Sequence, residues 1–168
     1  MENNKKRWTE PEILKCIIKN TPLVSIDFLI RNKEGKFLLG LRKNRPAKGY
    51  YFVPGGRIFK NETIENALKG ISKNEIGIEL DIENAKFLGV YEHIYEDNYF
   101  GNKYGTHYIV LAFLVDIDSD LPLPDEQHSD YIWLTPEEIL KHEKVHEYTK
   151  NYFKKSVKRF TPAKTILL

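Results

Sequence analysis

The stretch that decides the fold is residues 50–78, YYFVPGGRIFKNETIENALKGISKNEIGI. It begins with a short apolar run typical of a strand, which Pro54 and the two glycines after it interrupt. Beyond the glycines, apolar residues recur at the spacing of an amphipathic helix that ends before Gly77. Those residues are Ile64, Ala67, Leu68 and Ile71. The sequence therefore predicts a strand, a loop and a helix in immediate succession.

Glu75 lies on the apolar side of this predicted helix. At about 100° per residue, it returns to within roughly 20° of Ile64. Because burying an unpaired carboxylate is expensive, such a residue normally finds a cation, a metal ion or a cap interaction. The helix alone leaves a structural ion pair or a fraying helix end as open as a metal ligand. Gly55 and Gly56 favour a ligand site, since they let backbone carbonyls approach a ligand closely. Arg57, which follows them, can present two parallel donors to a phosphate.

The flanking segments predict further strands and helices. Residues 24–30 alternate at strand spacing, residues 32–35 supply turn chemistry, and residues 37–42 continue as a second strand, which predicts a hairpin. Later strands are predicted over residues 85–91, 107–116 and 131–134. Helices are predicted from a capping box of Thr9 and Glu12 to about residue 19, after a cap of Thr135, Pro136 and Glu138, and from about His146 to the end of the chain.

Composition limits the class of protein. With 168 residues, of which 41% are hydrophobic, the chain suits one domain over residues 1–168, with residues 1–8 disordered. A formal net charge of +2 excludes a strongly basic nucleic-acid coat protein. Cys16 is the single cysteine and its apolar neighbours suggest a buried helix stripe, so we expect a reduced, cytoplasmic setting. The longest apolar run, residues 108–115, is too short to span a bilayer, and the protein is expected to be soluble.

The segment running from Gly56 through Glu62 to a helix that ends in residues 75–78 resembles the Nudix box. The resemblance implies a Nudix fold of the α/β (α+β) class, in which a mixed β-sheet lies between α-helices and a strand-loop-helix motif carries the catalysis. The match is incomplete, because residues 70–75 read GISKNE where the usual box has Arg-Glu, an apolar residue, any residue and Glu-Glu. Two of three metal-facing carboxylates are therefore absent. A site with less negative charge holds fewer divalent ions, which disfavours multi-metal diphosphate cleavage.

Other segments are similar to one branch of that family, the GDP-mannose mannosyl hydrolases. They keep the same order and extend the resemblance over residues 21–153. The four are TPLVSIDF (residues 21–28), NRPAKGYYFVPGGR (44–57), THY (106–108) and LPDEQH (123–128). The resemblance implies hydrolysis of GDP-mannose, GDP-glucose or another GDP-hexose to GDP and free sugar, by attack of water on the anomeric carbon with inversion.

The resemblance also implies a metal site and a site for the leaving group. One Mg²⁺ per subunit, with Mn²⁺ as an alternative, would be bound by the Gly55 carbonyl, Glu75 and Gln127. These are hard oxygen donors, which Mg²⁺ prefers. Arg42 and Arg57 would join the metal in stabilising GDP as the leaving group.

His128 matches the general base of that branch. Its place in a loop pinned by Pro122 and Pro124 suggests a mobile residue that closes over the sugar, with a pKa near neutrality that suits proton removal from water. Without the flanking LPDEQH, an ordinary solvent-exposed loop histidine would be the better interpretation. Gln127 has the same alternative, a surface amide.

Three more residues match substrate contacts of the branch. Asp27 and His93 match sugar-binding residues, and Tyr108 matches a tyrosine near the diphosphate. The structural alternatives are a buried hydrogen bond for Asp27, a satisfied strand histidine for His93 and a core tyrosine for Tyr108. His142 and His146 are predicted to be solvated on a charged helix.

Gly70 departs from the branch, whose members have an arginine there. Glycine within a helix costs about 1 kcal/mol relative to alanine, and one cationic contact is missing. The departure implies weaker stabilisation of the leaving group or a different nucleotide preference. Two alternative functions stay open: a conventional pyrophosphohydrolase that yields GMP and a sugar phosphate, and a non-catalytic domain that binds a nucleotide sugar. The expected partner is a small nucleotide sugar, without nucleic acid or membrane, and the resemblance implies a homodimer.

Overall fold

The computed structural model describes residues 9–124, 128–156 and 160. Within these residues, the strands are β1 (Leu23–Arg31), β2 (Phe37–Arg42), β3 (Tyr51–Phe52), β4 (Gly55–Arg57), β5 (Ala85–Tyr95), β6 (Thr106–Asp116) and β7 (His128–Leu134). The helices are α1 (Pro11–Asn20), α2 (Ile64–Ile76), α3 (Pro136–Lys141) and α4 (Glu147–Asn151), with a short 3₁₀ helix at Ile82–Asn84. No helix in this described part is long and apolar enough to cross a membrane.

The strands form one mixed sheet in the order β3-β2-β1-β6-β5. β1 and β6 run parallel, whereas β5 pairs with β6 and β2 pairs with β7 in antiparallel register. One edge of β1 is shared between two partners. Its end at Arg31 pairs with Phe37 of β2, and its beginning pairs with β4, where Asp27 lies opposite Gly55. The two partners of β1 therefore diverge beside Asp27.

Apolar side chains pack on both faces of the sheet. One face of β1, including Ile26 and Phe28, packs with buried residues of α2 such as Leu68. The opposite face, including Leu29, packs in a second cluster that contains Ile139 of α3 and residues following α4. A mixed sheet between helices confirms the predicted fold class.

The first helix forms where it was predicted, but its predicted capping box and the predicted buried stripe around Cys16 were wrong. α1 is capped by Glu10, whose side chain accepts a hydrogen bond from Ile13 N at 3.0 Å, and Thr9 lies outside the helix. Cys16 is exposed, and Ile18 is the one buried residue of α1. The helix contacts the sheet through β6 over a small area, so its apolar residues form only a narrow buried stripe.

The decisive segment folds largely as predicted, with two differences. α2 is capped by Thr63 and ends at Gly77, whose φ of 80° is the left-handed conformation that glycine adopts at low cost. Ile64 is 44% exposed, so the apolar face of α2 begins one turn later than predicted. Residues 55–57 form β4 instead of a loop, because glycine allows a close approach to β1. A Cβ atom on Gly55 would lie 2.5 Å from the backbone oxygen of Ile26.

Several boundaries in the second half also differ. β5 extends four residues beyond its predicted end, and β7 begins at His128 instead of residue 131. The capping box of Thr135 and Glu138 is confirmed, with both reciprocal hydrogen bonds present. The last predicted helix is short, since α4 covers only Glu147–Asn151. Residues 1–8, predicted to be disordered, lie outside the described residues.

Candidate active site

A cavity of about 560 Å³ opens beside β1 and β4. Its walls include residues from α1, α2 and β1 to β7, so segments from most of the chain contribute to it. Gln127 lies outside the described residues, and the other eight predicted site residues all line this cavity. They are Asp27, Arg42, Gly55, Arg57, Glu75, His93, Tyr108 and His128.

The pairing of strands explains how distant residues meet here. Side chains directly opposite each other on neighbouring strands lie about 5 Å apart. Three such pairs supply six cavity residues: Asp27 with Gly55, Arg42 with His128, and His93 with Tyr108. The register of the sheet therefore assembles most of the candidate site.

The acidic corner of the cavity is formed by Glu75 in the last turn of α2. The residue is only 8% exposed, and its Oε2 lies 4.0 Å from Nδ1 of His128. In the part of the chain that the structure describes, no three His, Cys, Asp or Glu side chains cluster closely enough to hold a metal ion. Mg²⁺ commonly uses one or two carboxylates, with waters and phosphate oxygens completing its shell. Glu75 and Gly55 both line the cavity, and a carboxylate and a backbone carbonyl are oxygen donors of the kind that Mg²⁺ binds.

His128 is buried at the beginning of β7, with 2% of its surface exposed, so the prediction that it lies in a loop was wrong. Its ring packs against Gly40, where a Cβ atom would lie 2.8 Å from Nε2. Burial lowers the pKa of His128 to about 4, with smaller contributions from the positive charges of Arg42 and Lys43. The imidazole is therefore neutral near pH 7, and its pKa is below the predicted near-neutral range.

The hydrogen bonds of Tyr131 determine which nitrogen of His128 carries the proton. Tyr131 Oη donates to the backbone oxygen of Pro124 at 2.6 Å and lies 3.4 Å from that of Glu75. Both are acceptors, so the tyrosine proton points at a carbonyl, and Oη accepts from His128 Nδ1 at 3.2 Å. Nε2 of His128 is left with a free lone pair, the form that a general base requires.

Asp27 and His93 share one buried partner. Tyr152 Oη donates a hydrogen bond of 2.5 Å to Asp27 Oδ2 and lies 3.3 Å from Nε2 of His93. Burial raises the pKa of Asp27 to about 7, against the lowering effects of Tyr152 and Arg42. Burial also lowers the pKa of His93 to about 3, with a smaller contribution from His146. Asp27 thus makes the buried hydrogen bond that was its structural alternative, and it also lines the cavity.

Arg42 and Arg57 are two of the three arginines that line the cavity. The guanidinium of Arg42 donates to the backbone oxygen of Pro46 at 3.0 Å, and that of Arg57 lies 5.2 Å from the ring centre of Phe59. Both charges reach Tyr108, whose pKa is raised by burial and lowered by the two arginines. The cavity therefore combines an anion-binding wall with neutral hydrogen-bonding groups.

Sequence reasoning missed the contribution of residues 146–152. His146 was predicted to be solvated, but it caps α4, and its half-buried ring packs 5.4 Å from that of Phe52 and 5.6 Å from that of Tyr95. His142 caps the end of α3 and accepts a hydrogen bond from Lys144 N. The one available signal was the density of aromatic residues in HEYTKNYF, which has no clear period.

The comparisons with known proteins agree with this fold. The NUDIX domain model matches residues 21–155. The low-salt glycan biosynthesis protein Agl8 of Haloferax volcanii is 41% identical over 138 residues, which cover 82% of this chain and 84% of that relative. The ADP-ribose pyrophosphatase of Methanocaldococcus jannaschii is 32% identical over 117 residues, covering 67% of this chain and 64% of that relative.

A solved structure resembles the chain in three dimensions. The MutT NUDIX hydrolase of Burkholderia pseudomallei matches 82% of this chain and 100% of its own, with a TM-score of 0.67 at 23% identity. At that identity the likeness concerns the fold alone. With the family model matched over most of its length and a relative at 41% identity, the chain belongs to the Nudix family.

Proposed function

We propose that the protein hydrolyses a GDP-hexose, with GDP-mannose as the leading candidate, to GDP and free sugar in a Mg²⁺-dependent reaction. The observation that carries this proposal is the pairing of a single metal-facing carboxylate, Glu75, with a buried histidine 4.0 Å away. Ile71 and Asn74 stand where the usual Nudix box has carboxylates. This arrangement favours one metal ion and a protein base over multi-metal attack on phosphorus.

The metal has a limited part in this proposal. Nudix hydrolases generally use divalent metals such as Mg²⁺. The Gly55 carbonyl and Glu75 would hold the ion together with Gln127, which lies outside the described residues. When bound, Mg²⁺ would neutralise charge on the diphosphate of the substrate.

The leaving group is stabilised by Arg42 and Arg57. The glycosidic bond between the anomeric carbon and the diphosphate oxygen breaks, and its electron pair goes to that oxygen, so GDP departs with an additional negative charge. Guanidinium groups bind such oxygens through two parallel N–H donors. Because the charges of both arginines lower the pKa of Tyr108, the proposal places the diphosphate near that residue.

The attacking water is activated by His128. As the water oxygen bonds to the anomeric carbon, its proton passes to Nε2 of His128, which has the free lone pair. General-base assistance of this kind contributes roughly 100- to 10,000-fold to the rate. Attack opposite to the leaving group inverts the anomeric configuration. Asp27 and His93 then serve as contacts for the sugar hydroxyls.

Two other functions remain outcomes of the test. The name of the Methanocaldococcus jannaschii relative, ADP-ribose pyrophosphatase, favours conventional diphosphate cleavage. A non-catalytic binding domain is suggested by Gly70, since the neighbouring Lys69 and Lys73 do not replace the missing arginine. Lys69 pairs with Glu65 and Asp81, and Lys73 pairs with Glu79. The glycan-related name of the Haloferax volcanii relative supports a sugar-containing substrate.

Hydrolysis of GDP-mannose in ¹⁸O-labelled water, with Mg²⁺ present or chelated, tests the proposal. Label in the sugar and an inverted anomer at early times would support it. Label in GMP or in a sugar phosphate would establish the pyrophosphohydrolase instead. Tight binding of a panel of GDP-sugars without product would establish the non-catalytic domain. The proposal includes a homodimer, which light scattering checks.

A further inference from the structure

Tyr152 is a buried tyrosine that no motif in the sequence singles out. It follows α4 directly and reaches Asp27, 125 residues earlier in the chain, through a hydrogen bond of 2.5 Å. The same hydroxyl oxygen lies 3.3 Å from Nε2 of His93. One hydroxyl group therefore joins the two side chains that the proposed function assigns to the sugar.

We propose that Tyr152 is a positioning residue that orients Asp27 and selects the tautomer of His93, and this inference rests on the proposed function. A tyrosine hydroxyl has a single proton, which Tyr152 donates to Oδ2 of Asp27 when that carboxyl group is ionised. Its oxygen can then only accept a hydrogen bond from His93. Nε2 of His93 therefore carries the ring proton, and Nδ1 becomes an acceptor.

The ring of His93 is also prevented from turning. It stacks on the ring of Tyr148 with centroids 4.3 Å apart and planes inclined by 10°. Tyr148 is itself held, because its Oη donates to the backbone oxygen of Ile94 at 2.6 Å and accepts from the backbone N–H of Ile94 at 2.8 Å. Tyr148, Tyr152 and β5 thus form one hydrogen-bonded unit around His93.

This arrangement leaves two acceptors for a ligand. Oδ1 of Asp27 and Nδ1 of His93 have no hydrogen-bond partner among the described residues, and both residues line the cavity. A carboxylate oxygen and a bare ring nitrogen each recognise a hydrogen-bond donor. Hydroxyl groups of a hexose supply such donors, whereas the diphosphate has only acceptors. Because the proposed function assigns Asp27 and His93 to the sugar, Tyr152 influences recognition of the sugar and leaves recognition of GDP unchanged.

The first test compares Tyr152→Phe with the control Tyr91→Phe. Tyr91 is also buried, its ring centre lies 4.7 Å from that of Tyr152, and it makes no side-chain hydrogen bond within the described residues. Tyr152→Phe should lower kcat/KM for GDP-mannose roughly 10- to 100-fold, as expected for losing a hydrogen bond to a charged group. The inhibition constant of GDP should change less than about 2-fold. Tyr91→Phe should leave both quantities close to those of the wild type.

A second measurement needs no turnover. The ¹⁵N chemical shifts of the His93 ring, assigned with His93→Gln, should show protonated Nε2 and bare Nδ1 in the ligand-free protein. In Tyr152→Phe, the population of the other tautomer should increase. Unchanged shifts in Tyr152→Phe, or an equal loss of GDP affinity, would overturn the positioning role. If Tyr152→Phe changes the tautomer of His93 but the wild-type protein hydrolyses no GDP-sugar, the positioning role holds and the proposed function is rejected.

Discussion

Replacing Gly40 with alanine should displace His128, although no residue of the candidate site is itself substituted. Gly40 lies in β2, and a Cβ atom built there would be 2.8 Å from Nε2 of His128 and closer still to Cγ and Cδ2. Its φ angle lies outside the left-handed region, so an alanine backbone is not strained there. The effect of the substitution therefore comes from the contact with the imidazole ring.

The size of the effect follows from this contact. The ring of His128 has to withdraw by roughly 1 Å before it reaches an ordinary van der Waals distance from the new methyl group. Displacing a catalytic group by that amount costs about 100-fold in rate. Overpacking a buried site typically also lowers the free energy of unfolding by about 1–3 kcal/mol. We expect both changes in Gly40→Ala.

A double-mutant cycle with His128→Ala isolates the contact. In the parent protein, Gly40→Ala should lower the rate at which GDP is formed about 100-fold. It should also lower the free energy of unfolding in urea by about 1–3 kcal/mol. In His128→Ala, where the ring is absent, the same substitution should change stability by less than about 0.5 kcal/mol. Equal costs in both backgrounds, or a Gly40→Ala protein with parental activity, would show that the ring contact does not position His128.

His128→Gln should lower kcat by roughly 100- to 10,000-fold, because the base is lost. GDP binding, measured by calorimetry, should stay within about 2-fold, and a parental kcat would remove His128 from the mechanism. Glu75→Gln should raise the Mg²⁺ concentration for half-maximal activity at least about 10-fold, because a charged ligand becomes neutral; an unchanged Mg²⁺ titration would argue against metal binding by Glu75. Burial raises the pKa of Asp27 from 3.8 to about 7 in the folded protein, so the folded state binds the proton more tightly than the unfolded state. The stabilising contribution is complete below about pH 4 and is lost as the pH rises towards 7, by up to roughly 4 kcal/mol. The free energy of unfolding in urea should differ less between pH 5 and pH 8 for Asp27→Asn than for the parent protein. Equal differences would contradict the assignment of Asp27 as a buried carboxyl group.

Local patterns accounted for the arrangement of elements but not for all their limits. The period of the apolar residues predicted α2, and the turn chemistry of residues 32–35 predicted the first hairpin. β4 was missed because a pair of glycines next to proline is typical of a loop. Only the partner strand makes residues 55–57 a strand, since Asp27 and its neighbours supply the pairing.

Residue types and their order also predicted eight described residues that the structure brings to one cavity. Five of them lie in the segments similar to one Nudix branch, and the sheet register brings six of the eight together. The environment of these residues was less predictable. His128 was expected to be mobile and to have a pKa near neutrality, and it proved buried with a pKa lowered to about 4.

The amino-acid sequence by itself determined α2, the mixed helix and strand content, and the direction of Glu75 from α2. These are local properties, because helical and strand periods act over a few neighbouring residues. Only the tertiary structure decided that Tyr152 bonds Asp27 and that Tyr131 leaves Nε2 of His128 free. Desolvation and hydrogen bonding depend on segments more than a hundred residues apart in the first case, and no local pattern encodes such a distance.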